Sequence, residues 1–141
     1  MGYRWAMTTS EHGFLTLVGA QAPDAKDGTA RLEVDVDERH LNAAGAVHGG
    51  MLATLVDTTM GAAVRSTVDT EAAATSQLTV TYLRPGKPGR LSVVAKVSKR
   101  GESLTICEAD VTQNLDRLVH APLTSEDGAV IASGLRQRLT F

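Results

Sequence analysis

A glycine-rich turn that leads straight into an apolar segment with a single acid is the feature that most limits the fold of this chain. Residues 42–50 read Asn-Ala-Ala-Gly-Ala-Val-His-Gly-Gly, and Asp57 is the only charged residue between positions 51 and 64. An apolar run of this length is typical of a helix, and a helix that is apolar on every side is buried. Because an ionised carboxylate is costly to bury without partners, Asp57 is a candidate functional residue.

Composition favours one soluble globular domain spanning residues 1–141. The chain has 43% hydrophobic and 21% charged residues, and its net charge of −2 gives no bias toward nucleic acid or membrane surfaces. The apolar run is too short to span a membrane. Cys107 is the only cysteine, which excludes an internal disulfide and suits a reducing compartment. We therefore expect a cytoplasmic protein with no nucleic-acid or membrane partner.

Several segments carry the pattern of β-strands. Residues 30–37 alternate strictly between apolar and polar side chains, as a half-buried strand does. Residues 114–127 are expected to form a loop, whereas residues 10–19 fit either a short helix or the start of a strand. A tight turn at residues 100–103 predicts a hairpin. The other predicted strands are residues 77–83, 91–99, 104–112 and 129–139.

One long helix followed by antiparallel strands predicts an α+β fold. The sheet has to cover a helix that is apolar all round. A strongly curved sheet wrapped around the helix does this, and so does a flatter sheet with a second subunit against the other side of the helix. Either arrangement leaves apolar edges and therefore indicates a homo-oligomer.

The residues of the turn and the helix are similar to those of a known family. The matching residues are Asn42, Gly45, His48, Gly49, Gly50 and Asp57, followed by Thr75 and the stretch Thr-Val-Thr-Tyr-Leu-Arg-Pro at 79–85. From about Phe14 onward, the chain resembles the hotdog-fold acyl-CoA thioesterases of the PaaI type. The chain departs from the pattern in two ways: residues 114–127 are longer than the usual turn there, and Thr75 replaces a frequent serine.

The resemblance implies a curved antiparallel sheet wrapped around one long central helix. It implies dimers that join their sheets, and dimers that pair into a homotetramer. It also implies hydrolysis of an acyl- or aryl-CoA thioester to the free acid and CoA. CoA is then part of the substrate, so no cofactor is expected, and the scattered histidines predict no metal site.

Thioester hydrolysis needs a donor for the developing oxyanion and a group that delivers the attack. Gly49 and Gly50 lie where the helix begins, so free backbone N–H groups there can face a carbonyl oxygen. Asp57 lies eight residues further on, about 12 Å away at about 1.5 Å per residue. One chain cannot bring both groups to one carbon atom. The spacing therefore predicts an active site shared between two antiparallel helices, and the resemblance implies the same division.

Each residue of the motif has an expected role. The Gly49 N–H polarises the thioester carbonyl, and His48 holds the turn and is a candidate contact for the thioester. Asn42 orients the water, and Thr75 helps place the nucleophile. Asp57 is either the general base for that water or attacks the carbonyl directly to form a mixed anhydride.

Each residue also has a purely structural reading. His48 and Asn42 are typical of turns, the paired glycines also permit close helix packing, and Thr75 is an ordinary residue for a strand. Asp57 can be a helix residue that faces solvent or caps a partner backbone.

The segment from Arg84 to Arg100 has six basic residues and no acidic residue. Basic side chains and a following glycine turn are suited to the phosphates or adenine of CoA, although lysines also protect exposed strand edges. The predicted CoA-binding residues are Arg84, Lys87, Arg90, Lys99, Arg100, Gly101 and Ser103.

The acyl group is not defined by the sequence. Its predicted pocket residues are Gly50, Met51, Leu52, Thr54 and Met60. The sequence also fits two alternative functions: a hydratase or dehydratase of acyl thioesters, and a non-catalytic acyl-CoA-binding protein.

Overall fold

A computed structural model describes residues 13–67, 74–114, 116–120 and 135–138. Two α-helices lie within these ranges: α1 is Phe14–Leu17 and α2 is Gly49–Arg65. A single 3₁₀ turn at Glu38–His40 precedes α2. The strands are β1 (Asp24–Lys26), β2 (Thr29–Val36), β3 (Ala74–Gln77), β4 (Thr81–Tyr82), β5 (Gly89–Arg100), β6 (Leu104–Gln113), β7 (Asp116–His120) and β8 (Leu135–Arg138).

The strands within these ranges form one antiparallel sheet that does not close into a barrel. Its main path runs β1-β2-β5-β6-β7-β4. The first half of β6 pairs with β8 and its second half with β7, so β7 and β8 lie end to end beside it. β3 pairs with β8 and β4 with β7, which places β3 and β4 along the far edge.

Helix α2 packs against β1, β2, β5 and β6, and the core lies between this helix and the concave face of the sheet. The alternation of apolar and polar residues explains how the sheet contributes to this core. In β2 the apolar residues are buried, while most of the intervening polar residues are exposed. The expected α+β fold, a curved antiparallel sheet around one long helix, is confirmed. The largest fully buried side chains include Leu55, Val56, Met60 and Val64 of the helix and Leu91, Val93, Val111 and Val119 of the sheet.

One face of α2 is not buried, and here the expectation of a helix buried on all sides is wrong. Gly50, Ala53, Thr54, Asp57 and Thr58 retain exposed surface, and their spacing of three to four residues places them on one stripe. This stripe is called the open face below. Asp57 therefore reaches solvent in the single chain.

Three predicted elements differ from the structure. The expected strand at 77–83 is two short strands, β3 and β4, separated by residues 78–80. The expected loop at 114–127 contains β7, because Leu118 and Val119 are buried against the sheet. Of the expected strand at 129–139, β8 covers residues 135–138, and the remainder lies outside the described residues.

Two further elements settle or extend the prediction. Part of the undecided segment 10–19 is helix α1. Strand β1 was not expected, although Asp27 and Gly28 gave a signal for it. Both have positive φ angles, 51° and 82°, which suits the two-residue turn of the β1–β2 hairpin.

Candidate active site

The first turn of α2 leaves one backbone amide free. His48 is the N-cap residue, and its carbonyl oxygen accepts hydrogen bonds from the N–H groups of Met51 (2.9 Å) and Leu52 (3.2 Å). The Gly50 N–H donates to His48 Nδ1 at 2.8 Å. Among the described residues the Gly49 N–H has no partner. The expectation that both glycine amides are free is therefore wrong for Gly50, and within the described residues it holds for Gly49.

The imidazole of His48 holds this turn, as expected. Because Nδ1 accepts the Gly50 N–H, the proton of the neutral ring is on Nε2. The ring also lies close to the Gly50 Cα: a Cβ at this position would lie 2.9 Å from His48 Nδ1. Glycine at position 50 is thus required by the ring that caps the helix.

A second aromatic ring lies against Gly49. The Tyr82 hydroxyl donates to the Gly49 carbonyl oxygen at 2.8 Å. A Cβ on Gly49 would lie 3.1 Å from both Cζ and Oη of Tyr82. Sequence reasoning included Tyr82 in the motif but gave it no role, since a tyrosine in a strand pattern has no signal that ties it to a helix terminus.

The loop before the helix is organised by Asn42. Its Oδ1 accepts hydrogen bonds from the N–H groups of Ala44 (2.9 Å) and Ala46 (3.1 Å), and its own N–H donates to the Ala46 carbonyl at 2.7 Å. Gly45 has a φ of 82°, which explains the glycine there. The turn-capping interpretation of Asn42 is therefore confirmed, and only its amide nitrogen remains available to a water molecule.

Buried His40 anchors the same loop. Its Nδ1 accepts from the Asp37 N–H at 3.0 Å, its Nε2 donates to the Val18 carbonyl at 2.6 Å, and its carbonyl accepts from the His48 N–H at 2.7 Å. Arg39 hydrogen-bonds to the Asp37 carboxylate and lowers the pKa of that group to about 2. Sequence reasoning dismissed His40 as a metal ligand and had no signal for this anchoring role.

The acid of the site is paired with a hydroxyl. The Thr75 Oγ1 donates to Asp57 Oδ1 at 2.6 Å, which connects β3 to the middle of α2. Thr75 therefore lies beside Asp57, as expected. Two turns further along the helix, burial lowers the pKa of Arg65 while the negative charge of Asp57 raises it. Asp57 thus acts electrostatically on Arg65, the other charged residue of α2.

The predicted pocket residues divide into two groups. Met51, Leu52 and Met60 belong to the core of the single chain, with exposed fractions of 6%, 2% and 0%. Gly50 and Thr54 lie on the open face with Asp57, and the Thr54 hydroxyl donates to the Gly50 carbonyl at 2.8 Å. Within one chain, Gly50 and Thr54 are therefore the predicted pocket residues that lie at the surface.

The predicted CoA-binding residues are not one cluster. Arg90 and Lys99 are nine residues apart on β5, a separation of about 30 Å at about 3.3 Å per residue. Lys87 lies just before the start of β5, where its backbone N–H donates to Gln113 Oε1 at 3.0 Å. Arg84, also at that end, is exposed. At the other end, Gly101 closes the β5–β6 hairpin, where its N–H donates to the Leu104 carbonyl at 2.8 Å, with Arg100 and Ser103 beside it.

Arg90 already has two carboxylate partners. It bonds Glu33 at 2.8 Å and Asp35 at 3.1 Å, both on the neighbouring strand β2, and it lowers the pKa of Asp35. The basic segment of the sequence is thus partly neutralised by acids that only the sheet register brings close. A phosphate has to compete with these carboxylates for Arg90.

Within the described ranges, no group of three or more His, Cys, Asp or Glu side chains is arranged to hold a metal ion. No described helix is both long and apolar enough to cross a membrane.

Comparisons with known proteins agree with this arrangement. A sequence profile of the thioesterase superfamily matches residues 44–120. The chain is 39% identical over 112 residues to a Halobacterium salinarum protein described as a candidate esterase, covering 75% of this chain and 74% of that protein. It is 37% identical over 101 residues to acyl-coenzyme A thioesterase 13 of Homo sapiens, covering 71% and 69% of the two chains.

The fold is shared with a solved PaaI structure. The PaaI protein from the phenylacetic acid degradation operon of E. coli superposes with a TM-score of 0.69 at 24% identity, covering 88% of this chain and 79% of that chain. The hotdog fold and the resemblance to the PaaI type are confirmed. By its sequence match and its relatives, this chain belongs to the thioesterase superfamily.

Proposed function

We propose that this protein is an acyl-CoA thioesterase that hydrolyses an acyl- or aryl-CoA to the free acid and CoA. The observation that carries the proposal is the pair of groups left available on one helix: the free Gly49 N–H at its N-terminus and the Asp57 carboxylate on its open face. These groups supply the oxyanion donor and the base or nucleophile that the reaction requires. The human relative named as an acyl-CoA thioesterase supports CoA esters as the substrate class.

In the proposed reaction the Gly49 N–H donates to the thioester carbonyl oxygen. Asp57 either removes a proton from the attacking water or attacks the carbonyl carbon itself. In both routes the carbon–sulfur bond breaks, the thiolate of CoA leaves and takes up a proton, and water supplies the oxygen of the product acid or regenerates Asp57. Thr75 donates to one carboxylate oxygen, which leaves the other oxygen for the reaction.

We further propose that each site is shared between two chains. Asp57 lies about 12 Å along the helix from Gly49, too far for both to contact one carbonyl group. A second copy packed antiparallel on the open face brings its Asp57 toward Gly49 of the first. A homotetramer formed from two such dimers, a cytoplasmic location and CoA phosphate contacts from Arg84, Lys87, Lys99 and Arg100 remain predictions of this proposal.

Thiol release from a panel of short, medium, long and aromatic acyl-CoAs tests the activity. The Asp57→Asn variant keeps the size of the side chain but removes the base, so kcat should fall by at least about a hundredfold. Asp24→Asn, on the exposed strand β1, is the matched control and should retain wild-type kcat. Retention of most activity by Asp57→Asn would refute the proposed role.

The two routes for Asp57 differ in where solvent oxygen goes. In ¹⁸O-labelled water, a mixed anhydride that opens at the enzyme carboxyl transfers ¹⁸O to Asp57, which mass spectrometry of the peptide detects. General-base hydrolysis puts the label only into the product acid.

The other two candidate functions give different products. A hydratase or dehydratase changes the enoyl absorbance without releasing thiol, and a binding protein does neither. Recording both the released thiol and the enoyl absorbance in the same assay therefore separates all three functions.

A further inference from the structure

Tyr82 has an exposed side chain that nevertheless makes a specific contact with the catalytic turn. Its side chain is on the edge strand β4 and retains 52% of its accessible surface. Burial therefore does not explain why the ring lies over Gly49. Its hydroxyl donates to the Gly49 carbonyl at 2.8 Å, and its ring lies 3.1 Å from the position that a Cβ on Gly49 would take.

The peptide groups on both sides of the Gly49 Cα are fixed by hydrogen bonds. In the 48–49 peptide, the carbonyl oxygen accepts from Met51 and Leu52, so the Gly49 N–H points the other way, out of the helix. In the 49–50 peptide, the N–H donates to His48 Nδ1 and the carbonyl accepts from Tyr82. Among the hydrogen-bonding groups of these two peptides, the Gly49 N–H is the one without a described partner.

This arrangement matters because Gly49 has no side chain to restrict its own dihedral angles. The direction of its N–H depends on what holds the two adjoining peptides. An oxyanion donor is effective only when it is already aligned with the position the oxyanion will occupy, at about 2.7–3.1 Å. Of the hydrogen bonds described above for these two peptides, the one from the Tyr82 hydroxyl comes from outside the turn and the helix.

We propose that Tyr82 is a positioning residue that aligns the Gly49 N–H for the oxyanion by holding the 49–50 peptide from the sheet. This inference rests on the proposed thioesterase function. Tyr82 acts through the backbone of Gly49 and needs no contact with the substrate. The same contact favours glycine at position 49, because a Cβ there would lie 3.1 Å from the Tyr82 ring and hydroxyl and would push against them.

The test is Tyr82→Phe, which removes the hydroxyl and keeps the ring. We expect kcat to fall three- to tenfold, the range for loss of one hydrogen bond, with KM for the acyl-CoA within about twofold of wild type. Ser92→Ala is the matched control. It removes a hydroxyl that donates to Glu33 on the opposite face of the sheet, and it should leave both constants unchanged.

A second measurement does not depend on turnover. The hydrogen-exchange rate of the Gly50 amide, followed by ¹H–¹⁵N spectra of the enzyme without substrate, should rise about fivefold in Tyr82→Phe, because the carbonyl of the same peptide has lost its donor from the sheet and keeps only the helix. The rate should not change in Ser92→Ala.

The outcomes separate this inference from the function it rests on. If the wild type releases no thiol from any acyl-CoA, the proposed function fails and the oxyanion role fails with it, while the Gly50 exchange rate still decides whether Tyr82 holds the 49–50 peptide. If the wild type is active and Tyr82→Phe keeps wild-type kcat, or changes only KM, the positioning role is refuted. An unchanged Gly50 exchange rate also refutes it.

Discussion

At the scale of single residues, two rings account for the two glycines of the motif. A Cβ at position 50 would lie 2.9 Å from the His48 imidazole, and a Cβ at position 49 would lie 3.1 Å from the Tyr82 ring, so each ring would have to shift to admit a side chain. The spacing of the motif predicted the candidate residues that lie at the helix start and on its open face, because histidine, glycine and aspartate are recognisable along the chain. Tyr82 and His40 were not predicted, since their roles depend on contacts across 33 and 22 positions of sequence.

Thr75 gives the residue-scale prediction. Its hydroxyl donates to Asp57 Oδ1 at 2.6 Å, so Thr75→Val leaves one carboxylate oxygen without this donor. We expect kcat for acyl-CoA hydrolysis to fall about tenfold in Thr75→Val. Thr75→Ser keeps a hydroxyl at the same atom position and should remain within about twofold of wild type. Equal rates for the two variants in a thiol-release assay would show that the hydroxyl has no part in the reaction.

At the scale of elements, alternation predicted the long strands well and the short ones poorly. Strands β2, β5 and β6 appear within one to two residues of their predicted bounds, because each has one buried face along most of its length. Strand β7 was missed because it is five residues long and stands next to breaker residues, where a two-residue period has little room to show. The helix was predicted, but hydropathy alone did not reveal its open face, since glycine, alanine and threonine lie there.

The open face gives the element-scale prediction. Thr58 lies on it one residue after Asp57, so Thr58→Arg places a long charged side chain where a second copy should pack. Because Thr58 is only half buried and arginine favours helices, we expect the chain to remain folded. Light scattering after gel filtration should give a mass near 14.9 kDa, and hydrolysis should fall at least about a hundredfold.

Gln21→Arg introduces the same charge at an exposed position outside the helices and strands, and is the control. A Thr58→Arg variant that stays associated and active would rule out the open face as the shared surface.

At the scale of the whole molecule, one thiol reports on the integrity of the fold. Cys107 is fully buried in β6, and burial raises the pKa of its thiol to about 12. The native thiol should therefore remain protonated and unreactive toward a disulfide reagent at pH 8. In urea the unfolded chain should react with one equivalent, since it has a single cysteine.

The pH dependence follows from the same shift. The ordinary pKa of this group is 9.0, so the unfolded thiol ionises first as the pH rises, while the folded thiol stays protonated to about 12. The stability linked to Cys107 is fully present below pH 9 and is lost as the pH rises from there toward 12. Urea midpoints of Cys107→Ala and wild type, compared between pH 8 and pH 10, check this. A parallel change in both proteins would contradict the assignment.

The exposed stripe of α2 has a consequence for how the protein behaves on dilution. If catalysis requires an acid from one molecule and an amide from another, turnover per molecule depends on how much protein is present. The rate of hydrolysis then falls more steeply than the protein concentration once the two chains of a dimer begin to dissociate. A substrate molecule that contacts both chains opposes this dissociation, so the thioester itself favours assembly of the enzyme that cleaves it.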